Sequence, residues 1–178
     1  MNIANKVTTV RMILVPVFVV LYLIFGRMYN IAAILYAVAS LTDALDGHLA
    51  RSRNLVTTFG KFMDPLVDKI LTMAGFVLLT ATNIIPSWAV ILIISRELII
   101  TGLRTLAASN NITIAASKGG KAKTMSQCVS TVMLLLNNPT LNSIGLVLFY
   151  VAVVLTVLSG IDYLVKNKKV LNLDKKIF

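Results

Sequence analysis

Asp43 and Asp46 stand three positions apart, and Asp64 and Asp68 four apart, in a chain with only seven acidic residues among 178. On a helix, residues at either spacing share a face, so each pair would present two carboxylates together. Four ionised carboxylates held close repel, and without counter-charge some take up protons. Oxygen donors suit hard cations such as Mg2+ or Mn2+, and two divalent ions cancel four negative charges. The chemistry such a centre supports is metal-assisted transfer of a phosphoryl-type group. For a lone Asp-x-x-Asp, plain ion pairs with Lys61, Lys69 or Arg51 would be the better account.

The elements that must position these residues follow from composition. The chain is 57% hydrophobic and 13% charged, with mean hydropathy +0.86, whereas soluble domains are about 25% charged. Too few charges remain to coat a water-facing globule, so the fold class expected is an all-α integral membrane protein. Six apolar segments, roughly 8–26, 29–50, 61–82, 86–108, 120–138 and 141–165, approach the ~20 residues needed to cross ~30 Å of hydrocarbon. Short connections leave one domain over residues 1–178. Breaks are expected at Gly26, at Asn83 before Pro86, at Gly119-Gly120 and at Asn137-Asn138-Pro139, where left-handed backbone or a proline ends a helix. The opening, with Lys6 and Arg11 ahead of an apolar run, resembles a secretory signal, but Gly26-Arg27-Met28-Tyr29 offers no small-x-small cleavage site; a retained first span is expected. The single Cys128 forms no intrachain disulfide.

Six spans put both termini and the connections near 51–61 and 104–123 on one side. Sixteen of the 17 cations lie on or within reach of that side, leaving Arg27 opposite, which makes it cytoplasmic. This patterning accounts for the +10 net charge without nucleic acid, for which a basic stripe with aromatic platforms is expected. The tail from Lys166 to Lys176 would also contact anionic membrane lipid, at about 1 kcal/mol per cation. Asp43, Asp46, Asp64, Asp68 and Glu97 lie in or beside spans, where an ionised acid at mid-bilayer costs at least ~2.5 kcal/mol. The first pair closes the second span and the second pair opens the third, which sets all four near the cytoplasmic surface.

Written out, the pattern is Asp43-x-x-Asp46-Gly47-x-x-Ala50-Arg51, eight residues, then Gly60-x-x-x-Asp64-x-x-x-Asp68. Small Gly47, Ala50 and Gly60 allow close helix approach or room for a flat ligand, and Arg51 offers a fork for phosphate oxygens. This resembles the signature of the CDP-alcohol phosphatidyltransferases at every fixed position; His48 falls at a free one and is assigned no role. The resemblance implies a six-helix, homodimeric enzyme of the bacterial plasma membrane, with its active site facing the cytoplasm, that binds CDP-diacylglycerol and divalent metal. Asp43, Asp46, Asp64 and Asp68 would hold two Mg2+ or Mn2+ ions. Asp68 would also be the general base for an acceptor hydroxyl that displaces CMP.

Beyond the signature, the likeness extends to the bacterial branch of that family that makes phosphatidylglycerophosphate. It is carried by Asn2-Ile-Ala-Asn5-Lys-Val-Thr8-Thr-Val-Arg11, Phe62-Met63-Asp64-Pro65, Ser95-Arg96-Glu97-Leu98, Thr101-Gly102-Leu103-Arg104 and Gly120-Lys121-Ala122-Lys123-Thr124 with Gln127. The implied acceptor is sn-glycerol 3-phosphate, whose dianion calls for a cationic pocket, expected from Arg96, Arg104, Lys118, Lys121 and Lys123. Ion pairing of Arg96 with Glu97 is the structural alternative. CDP-diacylglycerol would be bound by Asn5, Thr8, Gly47, Ala50, Arg51 and Gly60, with helix capping the alternative for Asn5 and Thr8. Other acceptors, phosphatidylglycerol or an inositol compound, are the runner-up. A cation transporter is the distant alternative, but it would be expected to place its site at mid-bilayer between repeated halves.

Overall fold

The computed structural model describes residues 3–28, 30–52, 58–109 and 118–167; the side chains of 3–8, 11, 43–52, 58–65, 68, 109 and 118 lie outside the described residues. Among the described residues every regular element is a helix: α1 (Ile3–Phe25), α2 (Ile31–Ser52), α3 (Thr58–Ala81), α4 (Ser87–Ser109), α5 (Lys118–Leu135) and α6 (Pro139–Lys166).

Most helix ends are set by the residues expected to break them. Gly26, at φ +56°, turns the chain out of α1 while its N–H still reaches Tyr22 O at 2.7 Å. Asn83 takes φ 56° after α3, its N–H meeting Thr80 O and that of Ile84 meeting Leu79 O, each at 2.9 Å. That bond pair is the Schellman arrangement, which satisfies the helix's last carbonyls. Asn138 caps α6, its Oδ1 accepting from the N–H groups of Thr140 at 3.0 Å and Leu141 at 3.2 Å, with Pro139 as first helical residue, where its missing N–H costs nothing. Gly119-Gly120 departs from expectation. Both glycines lie inside the first turn of α5, and Gly119 sits against Ser159 of α6, a Cβ there meeting the serine's at 3.6 Å. Packing on α6 holds them helical where composition alone suggested a break.

Hydrogen bonds at the ends show how the helices alternate. At one end Tyr22 Oη and Thr82 Oγ1 are 3.1 Å apart, Arg27 donates to Leu136 O at 2.5 Å, and Asn137 N–H donates to Asn30 Oδ1 at 2.7 Å. The turns after α1, α3 and α5 are therefore gathered together. At the other end Arg104 of α4 donates to Tyr163 Oη of α6 at 3.1 Å.

The core runs through Phe18, Tyr36, Phe76, Leu79, Ile93, Leu134 and Phe149, all fully buried. Helices α5 and α6 form the most extensive pair, made possible by Gly145, where a Cβ would lie 3.0 Å from Met133 Cβ and 3.1 Å from Leu134 Cγ. The exterior is apolar: Leu23, Ile24, Ile91, Met125 and Val147 are among its most exposed side chains, while Glu97, Lys123, Gln127, Ser130, Thr131 and Thr156 are buried. That inversion of a soluble protein's polarity is what a hydrocarbon solvent demands. Among the described residues, α6 is the helix long and apolar enough to cross a membrane, with hydropathy 2.6, and shorter apolar runs occupy Met12–Phe25, Ile31–Thr42 and Lys69–Ala81.

Candidate active site

Helices α2 and α3 are in direct contact and are joined through residues 53–57, so the last turns of one and the first of the other share an end of the bundle. Asp43 and Asp46 lie on the backbone of α2, and Asp64 and Asp68 on that of α3. The fold thus brings the two halves of the motif to one helix hairpin. The side chains of Asp43, Asp46, Asp64 and Asp68 lie outside the described residues, as do those of Asn5, Thr8, Gly47, His48, Ala50, Arg51, Gly60 and Lys118.

One position beyond Asp68, the side chains are described, and they form a cluster around Glu97. Glu97 of α4 is 8% exposed. Its Oε2 accepts from Lys69 Nζ of α3 and its Oε1 from Lys123 Nζ of α5, while the neighbouring Arg96 Nη1 lies 3.0 Å from Oε1. Arg96 Nη2 also donates to Ser159 Oγ of α6 at 3.1 Å. Gly160 makes room for that arginine, since a Cβ there would come within 3.2 Å of Arg96 Cγ. Three helices therefore meet at one carboxylate, and α6 joins them through Arg96.

Among the described residues, three cations face one carboxylate, an excess of two positive charges, and Lys123 is 2% exposed. A group of this sign repels metal ions and attracts anions. It borders a cavity of about 40 Å³ whose polar lining is Lys69, Thr72, Glu97, Lys123, Thr124 and Gln127.

The cationic pocket expected from sequence is divided in two. Arg96 and Lys123 meet at Glu97. Arg104, two turns further along α4 and about 12 Å away by helix rise, pairs with Tyr163, its guanidinium carbon 5.5 Å from the ring centre. Lys121 is exposed in the first turn of α5. Sequence reasoning gave no binding role to Lys69 or Glu97. The signals were present: Lys69 follows Asp68, and Glu97 is a further acid inside an apolar segment.

An all-helical bundle with an apolar exterior, a hairpin of four aspartates and a buried cationic cluster defines a class of membrane-embedded protein that handles anionic groups. Comparison with known proteins makes that class specific. Residues 1–158 match the family model of the CDP-alcohol phosphatidyltransferases. The chain is 40% identical to the CDP-diacylglycerol–glycerol-3-phosphate 3-phosphatidyltransferase of Bacillus subtilis, over 93% of this chain and 95% of that one. It is 40% identical to the protein of the same name from Salmonella paratyphi A, over 92% and 93%. It is 39% identical to a probable phosphatidylglycerophosphate synthase of Mycobacterium tuberculosis, over 93% and 81%. This chain belongs to the CDP-alcohol phosphatidyltransferase family.

Proposed function

We propose that this protein transfers the phosphatidyl group of CDP-diacylglycerol to sn-glycerol 3-phosphate, giving phosphatidylglycerophosphate and CMP. The observation that carries the reading is the 40% identity, across nearly the whole chain, to a relative named for that reaction. The excess positive charge around Glu97 supports it, because the acceptor is a phosphate dianion and the cluster begins one residue beyond Asp68 on α3.

In the transfer, an acceptor hydroxyl oxygen attacks the phosphorus that bears the diacylglycerol. The new P–O bond forms as the bond to CMP breaks, and Asp68 takes the hydroxyl proton. Asp43, Asp46, Asp64 and Asp68 are an all-oxygen, four-carboxylate donor set on one hairpin, which fits two ions of Mg2+ or Mn2+. Such ions, when bound, neutralise the carboxylates and draw charge from the diphosphate. Asn5, Thr8, Gly47, Ala50, Arg51 and Gly60 bind CDP-diacylglycerol. Arg96 and Lys123 meet the acceptor's phosphate inside the bundle, and Arg104, Lys118 and Lys121 attract it at the mouth.

The protein works as six membrane spans with both termini and the active site on the cytoplasmic side of the bacterial plasma membrane, and as a homodimer, its basic tail resting on anionic lipid. The gathering of Arg27, Thr82 and Leu136 at one end, with the cation-rich ends opposite, supports this topology.

The test is a purified-protein assay with CDP-diacylglycerol and a set of acceptors: glycerol 3-phosphate, phosphatidylglycerol, an inositol compound and none. CMP release with phosphatidylglycerophosphate formation, specific to the first, is expected. Preference for another acceptor would overturn the substrate assignment, and ion flux in liposomes without CMP release would overturn the enzyme.

A further inference from the structure

Neither Glu97 nor Lys69 has a part in the transfer as set out above, yet both line the cavity beside Lys123. One cation is enough to offset a buried carboxylate, and three converge here. Among the described residues, such an excess of cations in a largely buried cluster favours an arriving anion. The two lysines approach different oxygens of the carboxylate, Lys69 at Oε2 and Lys123 at Oε1, so Glu97 sets their separation. An ammonium group carries three donors, of which Glu97 takes one from each lysine. At ~10–15 Å³ per water, the cavity of about 40 Å³ has the scale of one phosphate group and is too small for a nucleotide.

We infer that Glu97 is a positioning residue: it clamps Lys69 and Lys123 into a preset pair that receives the acceptor's phosphate, which adds Lys69 to the residues that bind it. The inference rests on the acceptor reading above for the identity of the anion. Because Lys69 follows Asp68 on α3, the clamp also ties the held phosphate to the helix that carries the base. Two opposing effects decide the sign of a test. Loss of the carboxylate raises the cluster's net charge, which favours anions, but it also frees three mutually repelling cations. Orientation outweighs the added charge, because a reacting group displaced by ~1 Å costs ~100-fold in rate.

The experiment uses Glu97→Gln, Glu97→Asp, Lys69→Met and the double variant Lys69→Met/Glu97→Gln, read by steady-state kinetics and by thermal shift with inorganic phosphate. Glu97→Gln should lower kcat/KM for glycerol 3-phosphate about 30-fold and move KM for CDP-diacylglycerol by less than about 3-fold. Glu97→Asp should recover part of the loss, and the double variant should fall short of the product of the single losses. Phosphate should stabilise the parent protein and stabilise Glu97→Gln much less. Equal effects on both substrates, multiplicative losses or an unchanged phosphate response would overturn the clamp. Should Glu97→Gln not fold, Lys69→Met decides: an unaltered KM for glycerol 3-phosphate overturns the inference. If phosphate stabilises the parent and not Glu97→Gln, but no phosphatidylglycerophosphate is made, the acceptor reading fails and the clamp stands.

Discussion

Lys123 of α5 donates to Glu97 Oε1 of α4, both side chains are buried, and the two partners are not equally dependent on each other. Glu97 also accepts from Lys69 and Arg96, so it keeps counter-charge if Lys123 is lost. Lys123 has no second carboxylate among its described ion pairs.

Truncating the two residues should therefore give unequal losses. Glu97→Ala leaves buried cations uncompensated, at a cost of about 3–5 kcal/mol, whereas Lys123→Met should cost clearly less. Thermal unfolding in detergent measures the difference. A Lys123→Met variant less stable than Glu97→Ala would show that the lysine, not the acid, organises the cluster.

Four carboxylates on one hairpin need divalent charge to act together. Activity should vanish with EDTA and return with Mg2+ or Mn2+. Asp43→Asn and Asp64→Asn should each be nearly inactive yet melt no lower than the parent protein, since each removes repulsion. Full turnover after exhaustive chelation would rule out the metal centre.

Asp68→Asn should lower kcat by about 10²- to 10⁴-fold through loss of the base alone, and further if a metal ligand is lost with it. Direct attack by the acceptor also forbids exchange of labelled CMP into CDP-diacylglycerol when glycerol 3-phosphate is absent. Robust exchange with a trapped lipid–protein adduct would replace direct displacement with a covalent mechanism.

Arg104 is held by Tyr163 through a hydrogen bond of 3.1 Å and by the ring face. Arg104→Ala should raise KM for glycerol 3-phosphate roughly 10- to 100-fold, the equivalent of losing one charge-assisted contact of about 1.5–3 kcal/mol. KM for CDP-diacylglycerol should change far less. Tyr163→Phe keeps the ring and loses the hydroxyl, so its effect should be in the same direction and smaller. Equal effects of Arg104→Ala on both substrates would assign this arginine to the nucleotide or to packing.

Two glycines on helices should respond to alanine with opposite signs. Gly145→Ala would push a methyl to 3.0 Å from Met133 Cβ and 3.1 Å from Leu134 Cγ, and overpacking of that kind costs about 1–3 kcal/mol. Gly102 has nothing within 4 Å of the same added atom, so Gly102→Ala should gain about 0.5–1 kcal/mol from helix propensity. A drop in melting temperature for Gly102→Ala would reveal that another chain covers this face.

The helices were legible in the sequence because apolar runs and their terminators coincide: α1 ends one residue before Gly26, α3 two before Asn83, and α6 begins after Asn138. Gly119-Gly120 misled because glycine marks a break only where packing gives no reason to stay helical, and α6 supplies that reason. The motif hairpin followed from spacing. The Arg96–Glu97 pair was open to sequence reading, but which other cations reach that acid was not, because Lys69 and Lys123 meet Glu97 through the relative rotation of α3, α4 and α5. Hydrophobic periodicity leaves that rotation open when every face is apolar.

Thr80, Ser130, Thr131 and Thr156 each donate their hydroxyl to a carbonyl of their own helix, at 2.8, 3.0, 2.7 and 2.6 Å. A helix carrying only such hydroxyls enters hydrocarbon with its donors already met, and for these residues the order of insertion is immaterial. Glu97 is different, because its partners on other helices lie on α3 and α5. In the order of synthesis Lys69 precedes Glu97, and Lys123 follows it. If the helices enter the membrane in that order, the acid meets one lysine before the second emerges, and α5 closes the charge cluster last.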